Sequence, residues 1–169
     1  SNFKLANIGL AIGVKAGTKV PDVSTRDALR TALLAARSVV HAPPAATPSG
    51  AQSDRIIKEL GLGEALAGRV VHKAGLAGGL AMIASGEADL GIFPKSEIVN
   101  APGIASAGSP PRDLDLHAVY AAGVKATSQA PGPAAEFIAF LTEPDSRKVW
   151  LACGFDPLGC TPRLRDLGA

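Results

Sequence analysis

Aromatic side chains are scarce in this sequence: five Phe, one Trp and one Tyr among 169 residues. A surface that stacks the bases of single-stranded nucleic acid needs more than that. Positive charge is not in excess either. Lys and Arg number 17 against 15 Asp and Glu, a formal net charge of +2, whereas a binder of phosphate backbones needs a concentrated basic surface. No nucleic-acid partner is expected. The two cysteines, Cys153 and Cys160, and the three histidines, His41, His72 and His117, show no metal-ligand spacing. Cys153 and Cys160 leave two readings open, a disulfide closing a short loop or two free thiols. No uncharged apolar run approaches the roughly 18 residues that a spanning helix needs. Nucleotide and hydrolase signatures are also missing. The first strand is not followed by Gly-x-Gly-x-x-Gly, and there is neither a Walker loop nor a Gly-x-Ser-x-Gly elbow. No cofactor, no metal and no catalytic residue is expected, and the chain does not read as an enzyme.

What is abundant is small. The sequence holds 31 alanines, and Gly 19 with Pro 13 punctuates its apolar runs. Such a composition suits helices packed close to a sheet, in one domain or one and a part. The opening Ser1-Asn2-Phe3-Lys4-Leu5 has no initiator Met, basic n-region or apolar h-region, so no signal peptide is visible in it. The chain reads as a piece of a longer protein.

Residues 6–16 form an apolar run with glycines at 9 and 13, which predicts one buried strand. Ser24-Thr25-Arg26-Asp27 supplies an N-cap and first turn for a helix to about Ala36. Residues 38–42 read as a short strand and 43–50 as a loop. Ser49 can cap a helix to Leu60 that Gly61 stops. Strands over 70–74 and 89–93 flank a helix over 76–85, and Pro94 ends the second of them. Residues 100–113 read as a Gly/Pro-rich connection and 116–126 as a long strand. Proline-initiated helices start at Pro131 and Pro144, before an irregular tail after Phe155. Alternating strands and helices argue for an α/β fold with an open, mostly parallel sheet and flanking helices.

Two places suggest ligand chemistry. At Thr47-Pro48-Ser49-Gly50-Ala51 a loop enters a helix, where unpaired N–H groups beside two hydroxyls can hold an anion. Gly50 would let a ligand approach the backbone. At Ala74-Gly75-Leu76-Ala77-Gly78 a strand again feeds a helix start. Each has a plain structural alternative, a serine cap in the first and close helix packing in the second. Both follow strands of one parallel sheet, so both belong to its carboxyl edge, where open α/β sheets bind ligands. Two helix starts without an acid–base pair point to binding rather than catalysis. His41 reads as a histidine hydrogen-bonded at a strand end, His72 as structural and His117 as exposed.

Several strings, in order, resemble bacterial extracellular solute-binding proteins of the molybdate-binding type, with the type II periplasmic binding fold. They include Ile8-Gly-Leu-Ala-Ile-Gly-Val-Lys-Ala-Gly17, Pro21-Asp-Val-Ser-Thr25, Pro48-Ser-Gly50, Gly86-Glu-Ala-Asp-Leu-Gly-Ile92, Phe140-Leu-Thr-Glu-Pro144 and Gly154-Phe-Asp-Pro157. The resemblance implies two α/β lobes joined by crossover strands, with the ligand in the cleft between them. Residues 1–16 and 116–126 would hold the crossovers and 17–115 the second lobe. Residues 127–169 would be C-terminal helices of a first lobe whose opening part this chain lacks. It further implies a periplasmic protein that delivers a small oxyanion or organic solute to an ABC permease. By the same likeness the second lobe donates backbone N–H groups near Ser49 and Leu76, and a tyrosine hydroxyl at the position of Pro94. Here the sequence runs Phe93-Pro94-Lys95, which removes a donor that molybdate binders use. The expected ligand-binding residues are therefore Thr47, Ser49, Gly50, Ala51, Leu76, Ala77 and Pro94. Three other readings remain: the effector-sensing domain of a transcription regulator, a small α/β enzyme built on His41 and Ser49, and a fragment that dimerises through its exposed edges.

Overall fold

The computed structural model describes residues 2–158. The chain divides into two compact units, passing between them at Ile8/Gly9 and again at Leu116/His117. Cys160, and with it the Cys153–Cys160 pairing, lies outside the described residues.

The larger unit, Gly9–Leu116, is built on a five-stranded sheet. Its strands are β2 (Leu10–Lys15), β3 (Val39–His41), β4 (Val70–His72), β5 (Leu90–Pro94) and β6 (Ile104–Gly108), in the order β4-β3-β5-β2-β6. β3 pairs in parallel with both β4 and β5. β2 runs antiparallel to β5 and to β6. Four strands thus share one direction and β2 alone opposes them, which agrees with a mostly parallel sheet.

Strand alternation sorts the core into two layers. Leu10, Ile12, Val39, Leu90 and Ile92 pack on one face against Leu29 and Leu33 of α1 (Arg26–Ala35) and Ile56 and Ile57 of α2 (Pro48–Glu59). Their neighbours Ala11, Val40 and Phe93 face the other way. They meet Met82 and Ile83 of α3 (Leu80–Ser85) and Ile98 of α4 (Lys95–Ile98). Small residues permit the second layer: a side chain on Gly13 or Gly91 would run into Ile98 or Ile83. Arg37 and Asp89 tie the end of the α1–β3 loop to the start of β5, with Nη2 and Oδ1 2.6 Å apart.

The smaller unit joins β1 (Asn2–Ile8), β7 (Ala118–Gly123) and β8 (Asp156–Pro157) in an antiparallel sheet, order β7-β1-β8. It carries α5 (Pro131–Phe140) and α6 (Pro144–Ala152). Its buried cluster is small: Leu5, Ala135 and Ile138, with Phe3, Ala122 and Trp150 among the residues against it. The Trp150 indole donates to the Leu141 carbonyl at 2.9 Å.

Several sequence expectations change. The single strand over 6–16 is two strands in two sheets. Around Gly9 the backbone leaves both ladders: Gly9 accepts from the Lys95 N–H at 3.0 Å, and the Leu10 N–H donates to Asp115 Oδ1 at 3.0 Å. The connection over 100–113 contains β6, whose edge pairing with β2 compensates for its small residues. β5 ends at Pro94 as expected, with the proline as its last residue, and α4 starts directly after it. The tail after Phe155 enters β8.

Candidate functional site

The register of the larger sheet sets the site's geometry. His41 lies opposite both His72 and Ile92, so β3, β4 and β5 end together at one edge. Leu10 opposite Pro94 brings the start of the antiparallel β2 to the same edge. Three segments leave the sheet there: the loop into α2, the turn before α3, and the Pro94–Lys95 step into α4.

At the first, the cap is Thr47 and not Ser49. The Thr47 hydroxyl accepts from the Gly50 N–H at 3.0 Å and the Thr47 carbonyl from the Ala51 N–H at 3.0 Å. Pro48, at the first helical position, has no N–H to offer. Two donors expected for a ligand are therefore held by the helix's own cap. Ser49 contributes an N–H without an intrahelical acceptor, and its hydroxyl stands 3.3 Å from that of Thr47. Gly50 has a different reason from ligand approach. It is buried, and a Cβ there would meet the Ala42 carbonyl and stand 2.5 Å from that of Pro43. The glycine lets the strand-to-helix loop fold onto the helix start.

At the second segment the expected helix over 76–85 opens instead with a wide, kinked turn, Gly75–Gly79. Gly78 has φ +115°, where L side chains are strained, and Ala77 is also non-helical. Leu76 is 85% exposed. The Lys73 side chain lies along this turn, with Cε and Nζ 2.8 and 3.1 Å from where a Gly78 Cβ would stand. A cation therefore stands beside Gly78 in this turn, whose residues Leu76 and Ala77 are exposed, while the Ala77 N–H donates to the Ala74 carbonyl at 3.1 Å. At the third segment Pro94 offers a carbonyl and no N–H.

All seven expected residues thus sit on the three segments of this edge. Sequence reading missed Lys73, Gln52 and Asp115. Gln52 Nε2 donates to Asp115 Oδ1 at 3.3 Å, the oxygen that also accepts from Leu10. No local pattern marks Asp115, because its partners lie 63 and 105 residues away. Lys73 directly precedes the Ala74–Gly78 string and could have been found by asking which cation flanks it.

His41 is fully buried on the α2 side of the sheet. Its Nδ1–H donates to the Ala42 carbonyl at 2.8 Å, and its ring meets His72 edge-on at 4.8 Å between centroids. Burial holds the imidazole below its usual pKa range, outweighing the Ala42 hydrogen bond. The Ser49 hydroxyl faces Thr47, so His41 and Ser49 form no hydrogen-bonded dyad. Among the described residues there is no group of three or more His, Cys, Asp or Glu able to hold a metal ion. No helix among them is long and apolar enough to cross a membrane.

The sequence model of the family "Bacterial extracellular solute-binding protein" matches residues 1–156. The chain belongs to this family. As a bacterial extracellular solute-binding protein it has a curated relative, aconitate isomerase from a Pseudomonas species, 28% identical over 165 residues. That match takes in 96% of this chain but 61% of the relative's length. Among solved structures, the solute-binding chain superposes on the substrate binding domain assigned to a molybdenum ABC transporter from Clostridium difficile, with TM-score 0.78 and 20% identity. The match covers 94% of this chain and 67% of that one. The periplasmic molybdate-binding protein of Azotobacter vinelandii gives TM-score 0.70 at 21% identity, covering 96% and 69%. At such identities the likeness is one of fold.

Proposed function

We propose that this chain is the solute-binding component of an ABC-type importer and takes a small oxyanion or small organic acid at the carboxyl edge of β3, β4 and β5. The observation that carries the reading is the shared edge: the start of α2 and the Gly75–Gly79 turn follow β3 and β4, which end in register at His41 and His72, and Pro94 ends β5 two residues beyond Ile92, the partner of His41. Ser49 would donate its N–H and hydroxyl, with Thr47 holding Gly50 and Ala51 in place. Leu76 would present its backbone N–H near the Lys73 ammonium, with the Ala77 N–H held by the Ala74 carbonyl at 3.1 Å, and Pro94 would form the wall where other binders supply a hydroxyl. Helix starts and a flanking cation favour negative charge. The ligand would be held between two lobes whose closure signals to a permease in the membrane, with the protein in the periplasm. No covalent step is involved. Calorimetric titration of the intact polypeptide with molybdate, tungstate, sulfate and small carboxylic acids tests this. Saturable binding of one class is expected, and no binding of any would end the reading.

A second reading follows from the relative named aconitate isomerase. The same edge would hold a tricarboxylate, with the chain assisting proton transfer. Incubation with cis- or trans-aconitate, followed by proton NMR, separates the two. Binding without turnover favours the receptor, and isomerisation that tracks protein concentration favours the enzyme.

A further inference from the structure

His41 stands at the carboxyl end of β3 and is fully buried, yet its two ring nitrogens have unequal company. A carbonyl only accepts, so the 2.8 Å contact with the Ala42 carbonyl puts the proton of the neutral ring on Nδ1. Nε2 then carries a lone pair, sealed from solvent and without a hydrogen-bond partner. The Ala42 carbonyl has a second neighbour. It lies where a Cβ on Gly50 would stand, so the first turn of α2 rests on it. Ser53, also buried, holds that turn from within the helix, its hydroxyl donating to the Ser49 carbonyl at 2.8 Å. Through one carbonyl the ring thus reaches the helix start whose N–H groups belong to the proposed solute edge. Beside the ring lies a pocket of about 330 Å³. The titratable and charged groups that face His41 are His72 from β4, edge-on at 4.8 Å, and Asp54 and Lys58 from α2, themselves paired at 2.7 Å. β5 presents Ile92, the register partner of His41, and the loop after α2 lines the pocket with Gly63, Leu66 and Gly68.

We infer that His41 is a positioning residue for the start of α2: the neutral ring holds the Ala42 carbonyl against Gly50, and protonation frees it. The inference rests on the solute reading for its consequence, because Ser49 is the donor so positioned. A proton on Nε2 makes a second N–H where there is no acceptor, and a buried donor without one is costly. Asp54 is the carboxylate on the pocket wall. Turning towards it satisfies the charged ring but takes the Nδ1–H off the Ala42 carbonyl, and Gly50 loses its support. Burial holds the ring below the ordinary histidine range; the Ala42 hydrogen bond opposes this, His72 adds to it and Asp54 opposes it. The ring is therefore neutral at pH 8 and takes up its proton only as the solution becomes acid. Acid then loosens the start of α2 and weakens its hold on an anion.

The test is a solute-free NMR titration of the full chain from pH 8 to 5, following the His41 ring and the backbone amides of Ser49, Gly50 and Ala51. Ring and amides should share one midpoint, below the ordinary histidine value. His41→Asn places an amide donor where Nδ1 stands but does not titrate. It should keep the parent's amide shifts at pH 8 and lose the transition. His41→Leu removes the donor and should displace those shifts already at pH 8. His72→Gln should keep the transition, which separates His41 from its neighbour. Amides that do not follow the ring, or a transition that survives in His41→Asn, would overturn the inference. Where His41→Leu loses its dispersed spectrum, the parent and His72→Gln decide. Calorimetry with sulfate, a dianion throughout this range, supplies the functional arm. Its affinity for the parent should fall at least threefold from pH 7.5 to 5.5, and not for His41→Asn. Equal affinity at both pH values would overturn the consequence drawn here. No sulfate binding at either pH, with amides that do titrate, would count against the solute reading and uphold the positioning.

Discussion

Single residues at the sheet edge act through the chain's own backbone as much as through any ligand. Gly50 was legible as a special position, but its cause was not, because the carbonyls that exclude a Cβ belong to Ala42 and Pro43 and meet it only after folding. Gly50→Ala should destabilise the chain by about 1–3 kcal/mol, as overpacking against fixed atoms does. A urea titration would register this as a lower midpoint with an unchanged slope. His41 gives a pH-dependent expectation. Its folded pKa lies below the ordinary value because burial penalises the charged ring. As pH falls through about 6.5, the unfolded chain takes up the proton first, and folded stability declines until the folded pKa is passed. His41→Gln does not titrate. The melting temperature of the parent chain, measured against that variant, should therefore fall between pH 7.5 and 5. A constant gap across this range would contradict the assignment.

Secondary-structure elements were legible where side chains signal their own boundaries. Thr25 caps α1 and accepts from Ala28 at 3.1 Å, within the four-residue signal that the sequence offered. Prolines at 48, 131 and 144 all stand in first turns. Elements that depend on distant partners were not legible. The strand Ile104–Gly108 contains two alanines and a terminal glycine, and only its pairing with β2 makes it a strand. The kink at Gly75–Gly79 depends on packing against Lys73, Phe93 and Glu97, which local periodicity does not carry. Moving the α2 cap from Ser49 to Thr47 has a measurable consequence. Thr47→Ala should cost about 1 kcal/mol of stability, whereas Ser49→Ala should leave stability nearly unchanged and weaken solute binding. Thermal melts and calorimetry on the two variants would separate them. If Ser49→Ala proved the more destabilising, the assigned cap would be wrong.

At the scale of the whole molecule, the alternation of strands and helices foretold an α/β sheet, but strand order rests on pairings such as Leu10 with Pro94, which no local signal contains. The two units also differ in how well they close their own cores. In the smaller one, Phe137, Phe140, Val149 and Leu151 are 55–62% exposed, and Val119 and Tyr120 are 50% exposed on the edge strand β7. Phe140, Val149 and Trp150 also wall an apolar hollow of about 390 Å³. Contiguous apolar surface of this kind marks an interaction face, and an edge strand invites pairing with another chain. The chain spans about 61% of the length of its curated relative. In isolation, the 169-residue chain should self-associate, with sedimentation showing a mass that rises with concentration. Replacing Phe140 and Val149 by serine removes two of these exposed apolar groups and should shift the equilibrium towards monomer. The larger unit has its own closed core, and its edge site should keep its solute affinity in that variant. A parent chain that stays monomeric at millimolar concentration would show that this apolar face does not drive association.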